Sequence, residues 1–208
     1  MDEVKSLISQ LSGNNLLISK ILYGCGLRLM EAIRLRIKDL YFQNNLLYVY
    51  DGKRDKNRIS MFPKALHSDL ELQVHKVRNL HQRDIAEGYG AVWLPDALDK
   101  KFSNASTEFK WQYLLPSSKR AIDPRSGIIR RHHIQQDSLQ KAIKRATLNL
   151  NFNKRVSCHT FRHCFATHLL EKCANVRQVQ KLMGHNDLKT TEIYLHLDGY
   201  QNKYYESS

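Results

Sequence analysis

The sequence feature that most constrains the fold is a row of three short helical patterns near the C-terminus. Apolar residues recur at helical spacing after Ser157, a residue type that favours the N-cap position. A second pattern over residues 176–183 ends at Gly184, a C-cap candidate. A third helix can begin at Asn186 or Asp187. We therefore predict a helical domain in which these three segments pack together.

These helices carry chemically active side chains at fixed intervals. His159 and Arg162 are three residues apart and share a helix face near its N-terminus, where backbone N–H groups favour a phosphate. His185 directly follows the second helix, and Tyr194 lies on the third. A tyrosine hydroxyl, with its pKa near ~10, is a poor nucleophile, but a phosphate diester held by cationic donors suits it. For any one of these residues, a structural role in packing is the competing interpretation. Taken together, they predict transesterification of DNA through a phosphotyrosine.

The charge balance supports a nucleic-acid partner. The 208 residues include 33 Lys and Arg against 20 Asp and Glu, which gives a net charge of +13 and favours a polyanion. A hydrophobic content of 42% is enough for a folded core. No apolar run reaches the roughly 18 residues of a membrane-spanning helix, and the N-terminus lacks a signal-peptide pattern. We expect a cytoplasmic, nucleoid-associated bacterial protein that needs no cofactor and contacts no membrane.

The four cysteines form no CxxC pair, and in a cytosolic protein they are expected to be reduced thiols. A zinc site made of Cys158, His159, His163 and Cys164 is the competing interpretation of this region. It is disfavoured because adjacent residues on a helix point apart and the HxxxH spacing lacks the glutamate of the metalloprotease motif. We therefore predict no metal site.

Periodicity over the rest of the chain predicts a mainly α protein with a small antiparallel β-sheet, an α+β fold. The expected elements are two short helices in 2–24, a helix over 28–38, a β-hairpin over 46–62, a long helix over 65–87, irregular structure with short helical pieces over 88–127 and a helix over 133–150.

Three motifs resemble those of the tyrosine recombinases, the phage-integrase family. HTFRH and LMGHNDLKTTEIY resemble the family signature, whose usual form is H-x-x-R, then L-G-H, then a tyrosine nine residues after that histidine. GCGLRLME resembles the family's G-T-G-L-R-x-x-E, with Cys25 where threonine is common and with Glu31 at the final position. The turn of LLYVYDGKRDKNRISMFP places a lysine where the family has one in a β-hairpin. The resemblance implies six catalytic residues: Arg28, Lys53, His159, Arg162, His185 and Tyr194.

The resemblance implies that Tyr194 is the nucleophile. It would attack the scissile phosphate and leave a 3′-phosphotyrosine and a free 5′-hydroxyl, so neither ATP nor a hydrolytic water is needed. The competing tyrosines are Tyr200, Tyr204 and Tyr205. They lie in a polar tail without the spacing to histidine and arginine, which disfavours them.

The other five positions would bind the phosphate and move protons. Arg28 and Arg162 would bind the two non-bridging oxygens, and His185 would donate to the same phosphate. His159 would act beside the tyrosine hydroxyl as general base or hydrogen-bond partner. Lys53 would protonate the leaving 5′-oxygen.

Residues 88–134 resemble the insert that marks the integron integrases, which bind folded single-stranded cassette sites with extruded bases. Trp93 and Trp111 would stack on such bases, at roughly 1–3 kcal/mol each. The alternative is that these rings only form the core of the insert. Basic residues in the insert and the hairpin are predicted to contact backbone phosphates: Lys56, Arg58, Lys119, Arg120, Arg130, Arg131, His132 and His133.

The resemblance implies one tyrosine recombinase catalytic domain over residues 1–198, followed by a tail over 199–208, without the helical DNA-clamp domain that precedes it in the family. It implies cassette integration and excision on integron hairpins and attachment sites, by a homotetramer on DNA whose isolated subunit is a monomer. Three alternatives remain open: a phage- or Xer-type recombinase on duplex sites, a type IB topoisomerase, and a truncated DNA-binding fragment without recombination activity.

Overall fold

The computed structural model describes residues 2–50, 57–95, 104–172 and 175–184. Four of the predicted functional residues lie outside these ranges: Lys53, Lys56, His185 and Tyr194.

The described helices are α1 (Asp2–Ser9), α2 (Gly13–Cys25), α3 (Leu29–Ile33), α4 (His67–Ala86), α5 (Gln136–Asn149), α6 (Cys158–Glu171) and α7 (Val176–Met183). The described strands are β1 (Leu40–Tyr41), β2 (Leu46–Val49), β3 (Arg58–Met61), β4 (Ala121–Ile122) and β5 (Ile129–Arg130). Short 3-10 helices lie at Ile37–Asp39, Phe42–Asn44, Lys64–Leu66, Ala105–Thr107 and Phe109–Trp111. The predicted α+β class, mainly helical with small antiparallel sheets, is confirmed.

The main core is built around α2. Its apolar residues lie on several faces, so the helix is enclosed, and Ile18, Ile21 and Leu22 are fully buried. Helices α1, α5 and α6 pack against α2, and Phe161 of α6 enters the same core. Residues from α4 and from β2 complete this core. The helix that carries Arg162 is thereby fixed against the helix that leads to Arg28.

The predicted hairpin is confirmed as the β2–β3 pair, and β1 extends it to a three-stranded antiparallel sheet. Leu47 lies opposite Ser60, and both are buried. Side chains alternate between faces along a strand, so Tyr48 and Ile59 face away from the core. Ser60 Oγ donates to the carbonyl of Cys25 at 2.8 Å, which joins β3 to the end of α2.

The prediction of one helix over residues 28–38 is wrong. Helix α3 ends at Ile33, and the chain becomes extended at Arg36, which forms an antiparallel bridge with Tyr113. Leu114 N–H donates to the carbonyl of Leu35, and Ile37 N–H donates to the carbonyl of Gln112. These tertiary hydrogen bonds satisfy the backbone outside a helix, so they override the helical spacing of the apolar residues.

The caps near the C-terminus agree with the sequence analysis. Ser157 is the N-cap of α6, and its N–H donates to Thr160 Oγ1 at 3.0 Å. Helix α7 spans the predicted residues and ends at Gly184, whose φ of 64° is the left-handed conformation that glycine adopts easily. At the start of α7, Asn175 Oδ1 accepts from the N–H of Arg177 at 2.9 Å.

The insert has a small core of its own. Val92, Leu94, Ala105 and Tyr113 are buried together, and Trp111 packs against them. Much of the described insert is irregular, as predicted, with 3-10 turns and the short β4–β5 pair. The predicted helix over 133–150 begins only at Gln136, because the preceding residues run beside residues 115–117 through backbone hydrogen bonds.

Candidate active site

A glycine turn at the end of α2 sets the position of Arg28. Gly26 has a φ of 63°, and a Cβ at this position would overlap the ring of Phe165 in α6. Glycine therefore permits both the left-handed turn and the close approach of α6. Two residues later, Arg28 is the N-cap of α3, with its side chain 39% exposed.

A largely buried carboxylate, Glu31, lies at the centre of the site, with its side chain 9% exposed. It accepts from the backbone N–H of Arg28 at 2.7 Å and from Arg28 Nη1 at 2.8 Å. Both of its oxygens also accept from Arg58 on β3, with Nη1 and Nη2 each at 2.7 Å. Burial alone would raise the pKa of Glu31, but the hydrogen bonds and charges of Arg58 and Arg28 outweigh it and hold the pKa at about 2. Glu31 therefore carries a negative charge at neutral pH.

Arg162 approaches the same carboxylate from α6. Its side chain is only 6% exposed, and Nη1 lies 3.9 Å from Glu31 Oε2. Nη1 donates to the carbonyl of Gly26, and Nη2 donates to the carbonyl of Met183. The fold thus brings Arg28 and Arg162, which are far apart in the sequence, to one carboxylate.

His159 lies in the first turn of α6 and is exposed. It lines an open cavity of about 890 Å³ together with Arg28. Lys144, Lys154 and Arg155 lie around the same cavity, so its rim is basic. The three catalytic residues predicted within the described ranges therefore surround one region of the protein.

Glu31 and Arg58 form a contact in the structure that was not predicted from the sequence. The family motif includes Glu31, but no role was predicted for this residue. The i,i+3 spacing of Arg28 and Glu31 was a signal that the two side chains are in contact. Arg58 was predicted to contact DNA phosphates. In the structure its guanidinium contacts Glu31, and its Nε donates to the carbonyl of Leu182 at 3.1 Å. Nothing in the sequence around Arg58 indicates Glu31 or Leu182 as a partner, because they lie 27 and 124 residues away along the chain.

The aromatic residues of the insert surround a second cavity, of about 340 Å³. The rings of Trp93, Trp111 and Tyr113 line it together with Tyr50, next to β2. Lys38 Nζ lies 4.1 Å from the centre of the Tyr50 ring. We refer to this cavity as the aromatic pocket.

Two tryptophans of the aromatic pocket have different surroundings. Trp111 packs on the small core of the insert, and its Nε1 is buried with no hydrogen-bond partner among the described residues. Trp93 is outside that core cluster, and the guanidinium of Arg125 lies 4.0 Å from its ring centre. Trp111 therefore contacts both the insert core and the aromatic pocket, whereas Trp93 lies outside that core and also lines the pocket.

A buried arginine attaches the aromatic pocket to the catalytic core. Arg36 Nη2 donates to the carbonyl of Trp93 at 2.8 Å, and Nη1 donates to the carbonyl of Trp111 at 2.5 Å. Its guanidinium also lies 4.5 Å from the ring centre of Tyr113. Its backbone N–H donates to Asp39 at 2.8 Å. These contacts of Arg36 join the pocket to the segment that follows α3.

His132 and His133 also line the aromatic pocket. Burial lowers the pKa of His132 to about 4, with further lowering by His133 and Arg125. Burial also lowers the pKa of His133, whose Nδ1 donates to the carbonyl of Ile134 at 2.8 Å. Both rings are therefore neutral at pH 7, which suits stacking and hydrogen bonding better than phosphate binding.

The other basic residues predicted to contact DNA differ in accessibility. Lys119 is exposed, and Arg130 is half-buried. Arg131 forms two hydrogen bonds with Asp84 of α4, at 2.6 and 2.7 Å, and is 11% exposed. Arg120 pairs with Glu87 at 2.6 Å and with Asp84 at 3.3 Å. In this structure the guanidinium groups of Arg120 and Arg131 fasten the insert to α4.

Within the described ranges, no group of three or more His, Cys, Asp and Glu side chains is placed to hold a metal ion. The zinc interpretation of Cys158, His159, His163 and Cys164 therefore has no support in the geometry. Among the same residues, no helix combines the length and apolar character required to cross a membrane.

Solved structures with a similar fold include recombinases and the catalytic domain of an integrase. The crystal structure of XerA recombinase has a TM-score of 0.64 at 24% identity, covering 99% of this chain and 62% of that one. The XerH site-specific recombinase in its post-cleavage complex with palindromic difH has a TM-score of 0.61 at 23% identity, covering 99% and 51%. The catalytic domain of bacteriophage HP1 integrase has a TM-score of 0.55 at 16% identity, covering 94% and 84%. The fold is that of a tyrosine recombinase catalytic domain.

Sequence comparison gives the family. Residues 1–200 match the phage integrase family, and the chain belongs to it. An integrase/recombinase of Escherichia coli is 40% identical over 196 residues, covering 94% of this chain and 58% of that protein. A tyrosine recombinase of Pseudothermotoga lettingae is 29% identical over 197 residues, covering 94% and 54%. Tyrosine recombinase XerD of Oceanobacillus iheyensis is 29% identical over 201 residues, covering 94% and 56%. The chain spans little more than half the length of these relatives.

Proposed function

We propose that the chain is the catalytic part of a site-specific recombinase that cleaves and rejoins DNA strands through a 3′-phosphotyrosine at Tyr194. The observation that carries the proposal is the convergence of Arg28 and Arg162 on Glu31, beside the basic cavity that His159 lines. Two guanidinium groups at one point suit the two non-bridging oxygens of a phosphate diester.

In the proposed reaction, the Tyr194 hydroxyl attacks phosphorus, and its proton passes to His159. The bond from phosphorus to the 5′-oxygen breaks, and that oxygen takes a proton from Lys53. Arg28, Arg162 and His185 stabilise the charge that develops on the non-bridging oxygens. Attack by a 5′-hydroxyl of another strand reverses these steps, so the phosphodiester energy is conserved and strands are exchanged.

The aromatic pocket supports an integron-type substrate. Its volume of about 340 Å³ and its Trp93 and Tyr50 rings suit a flat, extruded base, and Arg125 and Lys38 lie beside those rings. Fully paired DNA has no extruded base to place there. We therefore propose integration and excision of cassettes at folded hairpin and attachment sites, by a tetramer assembled on DNA. The similarity to recombinases of the Xer type favours duplex sites as the second candidate.

The test is covalent capture on nicked suicide substrates. A folded cassette hairpin with extruded bases and a fully paired duplex of the same sequence are each incubated with the chain, and adducts are resolved on a denaturing gel. An adduct that forms faster on the hairpin, and that Tyr194→Phe abolishes, is the expected result. Faster reaction on the duplex would favour the Xer-type alternative.

An adduct that persists in Tyr194→Phe, or that maps to Tyr204 or Tyr205, would refute the nucleophile. DNA binding without any adduct on either substrate would favour a fragment that only binds. The reaction is expected to continue in excess EDTA, because the proposed cations are side chains.

A further inference from the structure

Arg58 joins three segments that are distant in the sequence. It begins β3, it donates to both oxygens of Glu31 in α3, and its Nε donates to the carbonyl of Leu182 in α7. Its side chain is only 10% exposed, and all three of its guanidinium nitrogens donate to partners within the protein. The fork of a guanidinium can form all three hydrogen bonds at once.

The end of α7 is held by arginines on both sides. The last carbonyls of a helix have no partner within the helix, and Arg58 and Arg162 donate to those of Leu182 and Met183 respectively. Positive groups are also favoured at a helix C-terminus. At Gly184, an added Cβ would lie 2.8 Å from Cδ of Arg58, so the two residues are closely packed. The next residue in the chain is the predicted catalytic His185.

We propose that Arg58 is a positioning residue for DNA cleavage. It would hold Glu31, and through it Arg28, at a fixed place relative to the end of α7 and to Arg162. The inference rests on the proposed function, because Arg28 and Arg162 are taken as the phosphate ligands. A misplacement of about 1 Å at such a site can lower the rate by about 10²-fold.

The test compares Arg58→Gln and Arg58→Lys with the wild-type chain. Covalent adduct formation is measured in a single turnover at saturating suicide substrate, and DNA affinity is measured separately over a range of salt concentrations. We expect Arg58→Gln to lower the cleavage rate by about 10²-fold with little change in affinity. Arg58→Lys keeps the charge but has one nitrogen, so it should restore the rate only in part.

A phosphate contact would give the opposite pattern. If Arg58 bound DNA directly, Arg58→Gln would weaken binding and reduce the salt slope by about 1, while cleavage at saturating DNA would stay normal. That result would overturn the positioning role. Full activity of Arg58→Lys would also overturn it, because charge alone would then suffice.

Hydrogen exchange gives a readout that does not depend on activity. In Arg58→Gln, the amides at the end of α7 should exchange faster than in the wild type. Arg131→Gln is the matched control, because it removes a buried two-bond pair with Asp84 away from α7 and should leave exchange in α7 unchanged. Unchanged hydrogen exchange in Arg58→Gln would overturn the inference, even if neither the wild type nor any variant forms an adduct. Absence of an adduct with the wild type would count against the proposed function alone.

Discussion

Replacement of Glu31 by glutamine should change how stability depends on pH. Glu31 has a folded pKa of about 2 against an ordinary value of 4.5, and its side chain is 9% exposed. At about 1.4 kcal/mol per pH unit, this difference corresponds to about 3 kcal/mol of folding free energy. Because the folded pKa is the lower one, this stabilisation is present above pH 4.5 and is lost as the pH falls towards 2.

The assay is urea unfolding of the wild type and Glu31→Gln at a series of pH values from 7 to 2. At neutral pH the variant should be less stable by about 3–5 kcal/mol, because Arg58 loses its buried partner. The difference between the two proteins should then shrink by about 3 kcal/mol as the pH falls from about 5 to about 2. The variant lacks the carboxyl group, so it lacks this part of the acid dependence.

The control is Glu71→Gln, which removes a carboxylate that is 53% exposed and pairs with His67 on α4. Exposed ion pairs contribute about 0–1 kcal/mol, so this variant should stay within about 1 kcal/mol of the wild type. A stability difference between the wild type and Glu31→Gln that does not change between pH 6 and pH 2 would refute the account. It would mean that Arg28 and Arg58 do not hold the carboxylate in its charged form.

Three further outcomes are expected. Arg162→Ala should lower the cleavage rate by about 10²–10³ through loss of a donor to the developing charge; near-normal single-turnover cleavage would show that Arg162 is only structural. Trp93→Ala should weaken binding to a hairpin with extruded bases by about 1–3 kcal/mol but leave binding to a paired duplex unchanged. Trp111→Ala should lower the Tm of the free protein. Equal losses for Trp93→Ala on both DNAs would contradict base stacking. DNA binding should weaken steeply with salt in titrations, as expected for a net charge of +13, and salt-insensitive binding would exclude an electrostatic interface.

Local signals in the sequence predicted the helices well. The long amphipathic pattern gave α4, and Ser157 and Gly184 marked the start of α6 and the end of α7. These predictions depend on residues within a few positions of each other, where periodicity and capping have direct physical causes. The prediction of one helix over residues 28–38 failed because the extended segment at Arg36 obtains its hydrogen bonds from the insert, about 75 residues later.

The same distinction applies to the site. The family motifs placed Arg28 and Arg162, but periodicity could not show that Arg58 and Glu31 form a buried pair. From the sequence, we expected basic residues in turns and loops to be surface charges that bind phosphate. Arg131 instead forms a buried pair with a distant carboxylate, so the number of basic residues overstates the charge available to DNA.

The described site has more positive than negative charge. Among the described residues, Arg28, Arg58 and Arg162 lie around the carboxylate of Glu31, so three positive charges face one negative charge there. Placing like charges close together is unfavourable, and hydrogen bonds to backbone carbonyls such as that of Gly26 compensate in part for the burial of Arg162. A phosphate diester would bring one negative charge and two acceptor oxygens to this position. Its binding would place negative charge beside guanidinium groups that the fold already holds together, so the same groups could stabilise the charge that develops during the proposed cleavage.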